Sequence, residues 1–533
     1  MKPGTLFFGG VVETMRPDRG PVNSLAYRGG AILAVGNNLE SDSDFSNFRK
    51  VNLHGAALYP GFVDAHTHFC YYALSLDHIN LSGVASLPEA LKKIKVHTEN
   101  IVSQNWIVGG GLQVELFTER RWPAAADLDS VSSVRPAVIY SHDQHSLWVN
   151  SEALRRAKIT RRTPDPAGGR IERGSDGTPS GILRENAAYD VVLKLIPELT
   201  GAEKKKLYAR ALKSAYANGV TGVHSFDTGS RFDFLVERAN AGKLGLRVNF
   251  YINTSDLERA SRVLGQAPAY GFGDDFFRIA GVKFFADGSL GSKTALLHQP
   301  YSKSRGSCGV AVKSHTDLTV LARRAQKLGL PCAIHAIGDR AVTNVIRALA
   351  KVAPPCGARH RIEHVQMVRR TDIPALKRLR AVASMQPQQL PGDVESIHEL
   401  WGARARNCYL FRTMIEKGIP LAFGSDVPIE PLDPLAGIRD AVYRRSRISR
   451  RILNPPERIT ALQAARAFTA GPAFAAGEER YSGALLPGYR ADLVILSGNP
   501  RGISRKQLSE LHIAATILNG KCVYSDGALD LDS

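Results

Sequence analysis

Residues 58–69 read Leu58-Tyr59-Pro60-Gly61-Phe62-Val63-Asp64-Ala65-His66-Thr67-His68-Phe69, and this stretch is the most informative of the chain. A Pro-Gly turn precedes a short apolar run, and the run ends in two histidines one residue apart. On an extended strand such residues project to the same side. His66 and His68 are therefore placed to bind one metal ion, although two histidines at a strand end can also be unrelated.

The size and composition indicate a soluble globular protein. The chain has 533 residues, of which 44% are hydrophobic and 22% charged, and these fractions are ordinary for a folded domain. An α/β barrel can by itself take about 250 residues or more. We therefore expect a large core, more than one domain and no long disordered span.

The chain carries a formal net charge of +19, which could attract nucleic acid, an anionic surface or acidic substrates. The basic residues stand in short groups without a nucleic-acid motif, so we interpret them as solvated helix faces. The group from Arg444 to Arg451 is the best candidate for an anion contact. A nucleic-acid binder stays an alternative that the charge alone motivates, and we expect no nucleic-acid partner.

The cysteines and the amino terminus favour a cytoplasmic protein. Six widely spaced cysteines without a Cys-x-x-Cys pair suit reduced thiols better than a disulfide framework. The first ten residues lack a sustained apolar region, and no stretch has the length of a membrane span. We expect no membrane partner, and a homodimer is an oligomeric form that the sequence leaves open.

Both ends of the chain have the pattern of short strands, and the middle does not. The Asn-Gly pair between two β-rich runs near the carboxyl terminus is a strong hairpin signal. The predicted terminal strands are Thr5 to Thr14, Ser24 to Arg28, Ala31 to Gly36, Ala491 to Leu496, Ala514 to Leu518 and Lys521 to Tyr524.

In the middle, apolar runs rich in β-branched and aromatic residues alternate with helical patterns. This alternation favours βα units and a parallel barrel, whose chemistry sits at the carboxyl ends of its strands. A turn-rich segment at about 106–188 breaks the pattern, and we expect this insertion to cover the barrel mouth. The predicted strands are Val220 to His224, Leu246 to Ile252, Ile279 to Phe285, Pro331 to His335, Arg361 to His364, Val382 to Gln386 and Pro420 to Asp426.

Five of the apolar runs end in residues that can bind a metal. Imidazole together with carboxylate suits zinc, and also manganese, iron or cobalt. We therefore expect a divalent metal, with zinc the first choice, at the ends of these runs. The residues are His66, His68, Lys283, His335, His364 and Asp426.

With these residues the chain resembles the amidohydrolase superfamily, and within it amidohydrolase family 3, the YtcJ-like proteins, which include N-substituted formamide deformylases. The resemblance implies a metal-bearing (β/α)8 barrel at 59–475 and a small β-sandwich built from 1–58 and 476–533. It runs nearly end to end, through Pro60 to His68, Asp165 to Gly169, Gly181 to Ala187, Lys283 to Ser292, Gly424 to Asp426 and Ala491 to Val494.

The resemblance also implies a role for each of these residues. His66 and His68 would be ligands after the first barrel strand, and His335 and His364 after the fifth and sixth. Asp426, after the eighth, would be both ligand and proton shuttle. Lys283 stands where many superfamily members carry a carbamylated lysine that bridges two metals. A buried amine has a lowered pKa, and its neutral form can capture carbon dioxide.

Structural alternatives exist for the same residues. Lys283 could instead form an ion pair with Asp287 or Glu185, and one metal would then be expected rather than two. Asp426 could be a turn aspartate before Pro428. His335 and His364 could be core histidines whose hydrogen bonds are satisfied.

Candidate substrate contacts come from residues near the predicted ligands and from the inserted segment. The stretch from Ser141 to Asn150 is similar to an aspartate-glycine-histidine-serine motif of the family, but Gln144 replaces the glycine, which puts the shape of this loop in doubt. Asp339 or Arg340 could orient a ligand histidine. The candidates for substrate binding are His145, Gln113, Asp287, Arg340 and Gln386.

These observations predict a metal-dependent hydrolase of carbon-nitrogen bonds other than peptide bonds. Its substrate would be a small amide, an N-substituted formamide or a cyclic amide, attacked by metal-activated water. A deaminase or an esterase on the same barrel is one alternative. A relative that binds a small molecule without turnover is another, and its signature would be a missing ligand, which this sequence does not show.

Overall fold

The computed structural model describes residues 4–16, 18–100, 106–142, 146–166, 169–302, 304, 306–502 and 504–531. The chain forms two compact units. One contains Met1–Tyr72 together with Arg210–Ser533, and the other contains Ala73–Ala209.

The strands of the described residues are numbered in chain order. They are β1 Thr5–Phe8, β2 Val11–Val12, β3 Ser24–Arg28, β4 Ala31–Gly36, β5 Arg49–Asn52, β6 Ala57–Pro60, β7 Phe62–Thr67, β8 Ile79–Asn80, β9 Ile107–Leu112, β10 Ala137–Ser141, β11 Ser146–Val149, β12 Arg170–Arg173, β13 Pro179–Arg184, β14 Val220–Ser225, β15 Arg247–Asn253, β16 Phe277–Phe285, β17 Cys332–Ala336, β18 Arg361–His364, β19 Val382–Met385, β20 Leu421–Phe423, β21 Leu493–Leu496, β22 Ile513–Leu518 and β23 Lys521–Ser525.

The helices are numbered in the same way. They are α1 Phe69–Ser75, α2 Leu87–Asn100, α3 Ala125–Asp129, α4 Ser151–Arg156, α5 Glu185–Leu193, α6 Gly201–Ala217, α7 Ser230–Asn240, α8 Leu257–Leu264, α9 His315–Lys327, α10 Asp339–Leu349, α11 Ile373–Leu379, α12 Leu390–Trp401, α13 Phe411–Glu416, α14 Pro434–Tyr443, α15 Ala461–Ala467, α16 Ala470–Ala476 and α17 Arg505–Glu510.

An eight-stranded parallel sheet forms the centre of the first unit. Its strand order is β20-β19-β18-β17-β16-β15-β14-β7, and a parallel bridge between Thr67 and Val427 brings the last strand beside the first. The sheet is thus a nearly closed barrel. Each strand from β14 to β19 is followed by a helix, as the alternating pattern predicts, and the TIM-type barrel is confirmed.

The strands and helices of the barrel follow from where their apolar residues fall. Every residue of β14 is buried, which is typical of a parallel strand covered on both faces. On α10 the buried Ala341, Val342, Val345, Ile346 and Leu349 recur at the spacing of one helical face. The core therefore lies inside the barrel and between the barrel and its helices.

Two smaller sheets are built from both chain ends. One has the order β4-β3-β1-β5 and the other β2-β6-β21-β22-β23. A single hydrophobic cluster takes Phe7 and Leu25 from the first sheet and Leu58, Leu493 and Ile517 from the second. The predicted hairpin joins β22 to β23, which pair antiparallel, through an Asn-Gly turn in which both residues have positive φ.

The second unit contains a mixed sheet with the order β12-β13-β11-β10-β9-β8. It has hydrophobic clusters of its own, one around Trp148 and Ile94 and another around Leu147 and Leu183. The predicted insertion at 106–188 lies within this unit, whose bounds are wider on both sides. Its proposed place over the barrel mouth stays a prediction.

No helix among the described residues is long and apolar enough to cross a membrane.

Candidate metal centre

Three side chains that could hold a metal ion meet at the carboxyl end of the barrel. His66 is the fifth residue of β7 and His68 follows that strand, while Asp426 lies three residues beyond β20. The ligand atoms of all three lie within 4.8 Å of one another. Oδ1 of Asp426 is 3.6 Å from Nε2 of His66 and 3.5 Å from Nε2 of His68. The barrel thus brings together residues that are 360 positions apart.

His364 and His335 extend this group. The ring centroid of His364 is 5.0 Å from that of His66 and 4.5 Å from that of His335. Nδ1 of His364 is buried and has no hydrogen-bond partner in the described part of the chain. Nε2 of His335 is 3.0 Å from the carbonyl oxygen of Gly288. The four predicted histidine ligands therefore lie in one contiguous set.

The backbone is unusual at two of these positions. His364 has a φ of 73° and Asp426 a φ of 62°, both in the left-handed region that residues other than glycine seldom adopt. Such conformations cost free energy and are concentrated at functional sites. They turn both side chains away from the regular strand direction just where the strands end.

Burial keeps the imidazoles of His66, His68 and His364 neutral, which is the form that binds a metal. Burial, reinforced by nearby positive groups, lowers the pKa of His66 and that of His364 well below the usual value. Burial also raises the pKa of the Asp426 carboxyl, although the ammonium of Lys283 opposes that rise. The centre is thus largely buried, with His68 partly exposed, and charge there is costly unless it is paired.

Lys283 lies on β16 inside the barrel and is 3% exposed. Its Nζ is 4.5 Å from the ring centroid of Phe226 and 5.0 Å from that of Phe285. Burial lowers the pKa of Lys283, although Glu363 and Asp426 oppose that shift. The alternative ion pair with Asp287 is not formed in the described structure, because the Asp287 carboxylate accepts backbone hydrogen bonds from Leu296, Ile337 and Gly338 instead.

The sequence analysis missed a buried carboxylate beside the histidines. Oε2 of Glu363 is 2.7 Å from Nδ1 of His66, and Arg361 donates to both oxygens of Glu363. Burial by itself raises the pKa of Glu363, but the charges of Arg361 and Lys283 and the hydrogen bonds to the carboxylate together outweigh it, and the net shift is downward. The sequence could have indicated this pair, because Arg361 and Glu363 lie two residues apart on β18 and therefore on the same face of the strand.

Asp64 is a second residue that the sequence analysis did not single out. It is fully buried, and its carboxylate accepts hydrogen bonds from the backbone N–H groups of His66 and Ser425. Burial raises the pKa of Asp64 to about 7. The side chain ties the end of β7 to the residue before Asp426, and so helps to set the distance between His66 and Asp426 across the two terminal strands of the sheet.

The structure places one predicted substrate contact, Asp287, near the centre, and shows a second, Gln386, as a buried side chain. Asp287 lies 3.7 Å from Nε2 of His335. Gln386 follows β19, is 1% exposed, and has no described partner for either atom of its amide. Gln386 is therefore a buried amide at the carboxyl end of β19 whose hydrogen-bonding groups are unused by the described residues.

The other predicted contacts are Arg340, Gln113 and His145. Arg340 lies exposed on the first turn of α10, while the neighbouring Asp339 is buried and accepts from the backbone N–H of His298. Gln113 lies in the second unit, where it accepts from Gly83. His145 falls outside the described residues. These roles stay predictions.

The basic group at 444–451 is largely paired. Arg447 forms an ion pair with Glu430, and Arg451 forms one with Glu395. Arg444 is fully buried and donates to the carbonyl of Leu453. These partners account for three of the five arginines in the group, and the anion contact stays a prediction.

The residues fit a divalent metal. Two ligands of a tetrahedral zinc, each at about 2.1 Å, lie about 3.4 Å apart, which is close to the separations between Asp426 Oδ1 and the two histidine nitrogens. Nδ1 of His364, which has no hydrogen-bond partner among the described residues, is a further nitrogen that could bind the metal. Neutral imidazoles with one carboxylate are a donor set that zinc accepts.

The sequence model of the amidohydrolase family matches residues 49–524. The chain belongs to the amidohydrolase family. It is 31% identical over 530 residues to YtcJ of Bacillus subtilis, a protein described as an amidohydrolase, with 97% of this chain and 99% of YtcJ covered. It is 27% identical to an N-substituted formamide deformylase of Arthrobacter pascens, with 96% and 97% of the two chains covered.

A plant relative and a solved structure extend the comparison. The protein LONG AFTER FAR-RED 3 of Arabidopsis thaliana is 32% identical, and the match covers 94% of this chain and 88% of that protein. An uncharacterised metal-dependent hydrolase of Pyrococcus furiosus has a structure that is 28% identical with a TM-score of 0.75, covering 93% of this chain and 99% of that chain. Family and neighbours support a hydrolase with a divalent metal.

Proposed function

We propose that this protein is a metal-dependent hydrolase that cleaves a carbon-nitrogen bond other than a peptide bond in a small amide, an N-substituted formamide or a cyclic amide. The observation that carries the proposal is the meeting of His66, His68 and Asp426, with their ligand atoms within 4.8 Å of one another. The similarity to a formamide deformylase along almost the whole chain supports the choice of bond.

The metal would be held by His66, His68 and Asp426, with His364 and His335 beside them. A divalent cation bound there would lower the pKa of a water molecule and polarise the carbonyl of the substrate. Zinc is our first choice because of the imidazole and carboxylate donors. We further propose that the neutral amine of Lys283 captures carbon dioxide, since its pKa is lowered by burial, and that the resulting carbamate holds a second metal.

The chain's own groups move the proton. Asp426 accepts the proton of the attacking water and donates it to the leaving nitrogen. Its Oδ2 is held by the side-chain amide of Gln389 at 3.1 Å, which orients the carboxylate for this transfer. Phe226, whose ring stacks on His66 with centroids 4.2 Å apart, excludes water from one side of the imidazole.

Two further side chains are proposed to contact the substrate. Gln386 offers a buried amide with both a donor and an acceptor without described partners, which matches the N–H and C=O of an amide. Phe285 is 37% exposed and its ring lies 5.2 Å from that of His335. This exposed ring would pack against an apolar substituent on the substrate nitrogen.

The first test is the metal content per chain, measured by elemental analysis on protein prepared with bicarbonate and zinc or manganese. Wild type and Lys283→Ala are compared side by side. Close to two metals in wild type and one or fewer in the variant would support the carbamate and the metal pair. One metal in both would leave a mononuclear hydrolase, and no metal in either would refute the proposal.

The second test identifies the products from a panel of small amides, N-substituted formamides, cyclic amides, aromatic amines and esters. An acid together with an amine is the expected outcome. Ammonia released from an aromatic amine would indicate the deaminase alternative, and an alcohol would indicate an esterase. Asp426→Asn is the control, because its activity at the proposed site is expected to be at least about 100-fold lower than that of wild type.

Binding without turnover is a second candidate, since the similar plant protein carries no enzymatic name. It predicts that the metal-loaded protein binds members of the panel but releases no product. Equilibrium binding of the same compounds to wild type and Asp426→Asn separates the two functions. Equal binding by both proteins and no turnover by either would favour it.

We also infer that the two terminal sheets form one small β-sandwich, built from about 1–58 and 476–533. The support is the hydrophobic cluster that both sheets share. A matched pair tests this: Leu58→Ala, at the shared cluster, and Leu33→Ala, at an exposed position of β4. Only Leu58→Ala is expected to lower the midpoint of thermal unfolding, because truncating a buried leucine lowers the free energy of unfolding by about 2–5 kcal/mol.

A further inference from the structure

Glu363 is a fully buried carboxylate inside the barrel, with a relative exposure of 0%. It lies on β18 next to the predicted ligand His364, but its close partner is another histidine, His66, on β7. Oε2 of Glu363 lies 2.7 Å from Nδ1 of His66. The other ring nitrogen, Nε2, is 3.6 Å from Asp426. The two nitrogens of one imidazole thus have different partners on opposite sides of the ring.

Arg361 holds the carboxylate in place. Its Nε donates to Oε1 of Glu363 at 2.8 Å, and its Nη2 donates to Oε2 at 3.1 Å. The same guanidinium donates to the carbonyl of Ala65, to the hydroxyl of Tyr251 and to the hydroxyl of Ser384. Since these partners lie on β7, β15 and β19, the guanidinium is fixed by several strands, and it fixes Glu363 in turn.

The pairing determines which nitrogen of His66 carries the proton. A carboxylate can only accept hydrogen bonds, so Nδ1 of His66 must be the donor. The lone pair of the neutral ring is then on Nε2, on the side of Asp426 and His68. A carboxylate hydrogen-bonded to the far nitrogen also makes a ligand imidazole more basic and fixes its orientation.

We propose that Glu363, held by Arg361, is a positioning residue that fixes the tautomer and orientation of His66, so that Nε2 is the nitrogen offered to the metal. This inference rests on the metal site of the proposed function. Glu363 itself neither reacts nor binds the metal. It affects the metal affinity through its hydrogen bond to His66.

The test is a metal titration that needs no substrate. Chelator-treated wild type, Glu363→Gln and Glu363→Leu are titrated with Zn²⁺ in competition with a fluorescent chelator, and with Co²⁺ while its visible absorption is recorded. Loss of such a partner lowers metal affinity by about 10- to 100-fold. We expect a loss of this size in Glu363→Leu, a smaller one in Glu363→Gln, which keeps an acceptor oxygen, and a shift of the Co²⁺ absorption bands.

Glu457→Gln is the matched control. Glu457 is another buried carboxylate of the same unit, at 3% exposure, but it accepts from the backbone and hydroxyl of Thr413 and has no histidine partner in the described structure. Its variant removes a buried charge far along the chain from His66. We expect metal affinity within about twofold of wild type.

The metal affinities of wild type and the variants distinguish failure of this inference from failure of the proposed function. Affinity in both Glu363 variants equal to that of wild type would overturn the inference and leave the proposed function intact. An equal loss in Glu457→Gln would overturn it as well, because the effect would then come from general destabilisation. A wild type that binds neither ion would refute the proposed function and this inference together. If Glu363→Leu does not fold, the comparison of Glu363→Gln with Glu457→Gln gives the answer.

Discussion

The carboxylate of Asp426 has two oxygens in different surroundings. Oδ1 faces Nε2 of His66 and Nε2 of His68 at 3.6 and 3.5 Å, while Oδ2 accepts a hydrogen bond from the side chain of Gln389. Burial raises the pKa of the carboxyl, so that it can hold a proton. One residue can therefore serve as a metal ligand through one oxygen and carry a proton on the other.

We predict that Asp426→Asn lowers kcat by about 10²- to 10⁴-fold. The amide keeps the size and one acceptor oxygen, so much of the metal affinity is expected to remain. Steady-state kinetics and elemental analysis of the same preparation check both parts. Retention of activity within about tenfold of wild type would contradict the proton-transfer role.

Gln389→Met tests how the orientation of Asp426 is set. Methionine is similar in length but cannot donate to Oδ2, and hydrogen bonds to charged groups contribute about 1.5–3 kcal/mol. We expect kcat to fall on the order of 10- to 100-fold with little change in KM. Gln388→Met is the control, because the Gln388 amide donates to the carbonyl of Pro431 instead. Equal losses in the two variants would indicate a packing effect.

At the scale of the elements, the centre depends on the approach of β20 to β7. Gly424, which follows β20, leaves no room for a side chain, since a Cβ there would lie 2.3 Å from the backbone nitrogen of His66 and 2.7 Å from Oδ1 of Asp64. Asp64 in turn accepts from Ser425. The same close approach of β20 to β7 therefore closes the barrel and positions Asp426.

Gly424→Ala is predicted to disturb both together. The backbone or Asp64 must shift to make room, at a cost of about 1–3 kcal/mol in the free energy of unfolding. Differential scanning fluorimetry should show a lower midpoint, and zinc titration a weaker affinity. Gly201→Ala is the matched control, because nothing lies within 4 Å of its Cβ and it begins α6. An unchanged midpoint and affinity in Gly424→Ala would refute this account of the closure.

At the scale of the whole molecule, His360 links three parts of the barrel. It precedes β18, its Nδ1 accepts from the backbone N–H of Cys332 at 3.0 Å, and its Nε2 donates to the carbonyl of Val352 at 3.3 Å. This pattern requires the neutral ring. Burial lowers the pKa of His360 to about 4, below the value of about 6.5 in an unfolded chain.

The stability of the fold should therefore fall in mild acid. A group with a depressed folded-state pKa contributes its full stability above the unfolded value of about 6.5, and loses it as the pH falls from there towards 4. The loss from His360 is about 3 kcal/mol at most. Urea unfolding at pH 7.5, 6, 5 and 4 measures it. His360→Asn keeps an acceptor but has no ring that titrates, so its free energy of unfolding should fall less steeply as the pH is lowered. Identical pH profiles for the variant and wild type would show that the loss does not come from His360.

Much of the fold and part of the centre could be predicted without coordinates. The alternation of apolar runs and helical patterns predicted the barrel strands, because strand and helix periodicity are local properties. His66, His68 and Asp426 were predicted as ligands because each follows such a run, and the structure places these three together. Arg340 was selected only because it follows His335 closely, and its side chain is exposed.

The sequence by itself determined where the strands fall along the chain, the hairpin at Asn519-Gly520, and which histidines and carboxylates stand at the strand ends. These depend on backbone preferences and on periodicities within a few residues. Only the tertiary structure decided that Glu363 pairs with His66, 297 positions away, and that Gln389 holds Asp426. Such pairs depend on the register and closure of eight strands, and no local pattern contains that information.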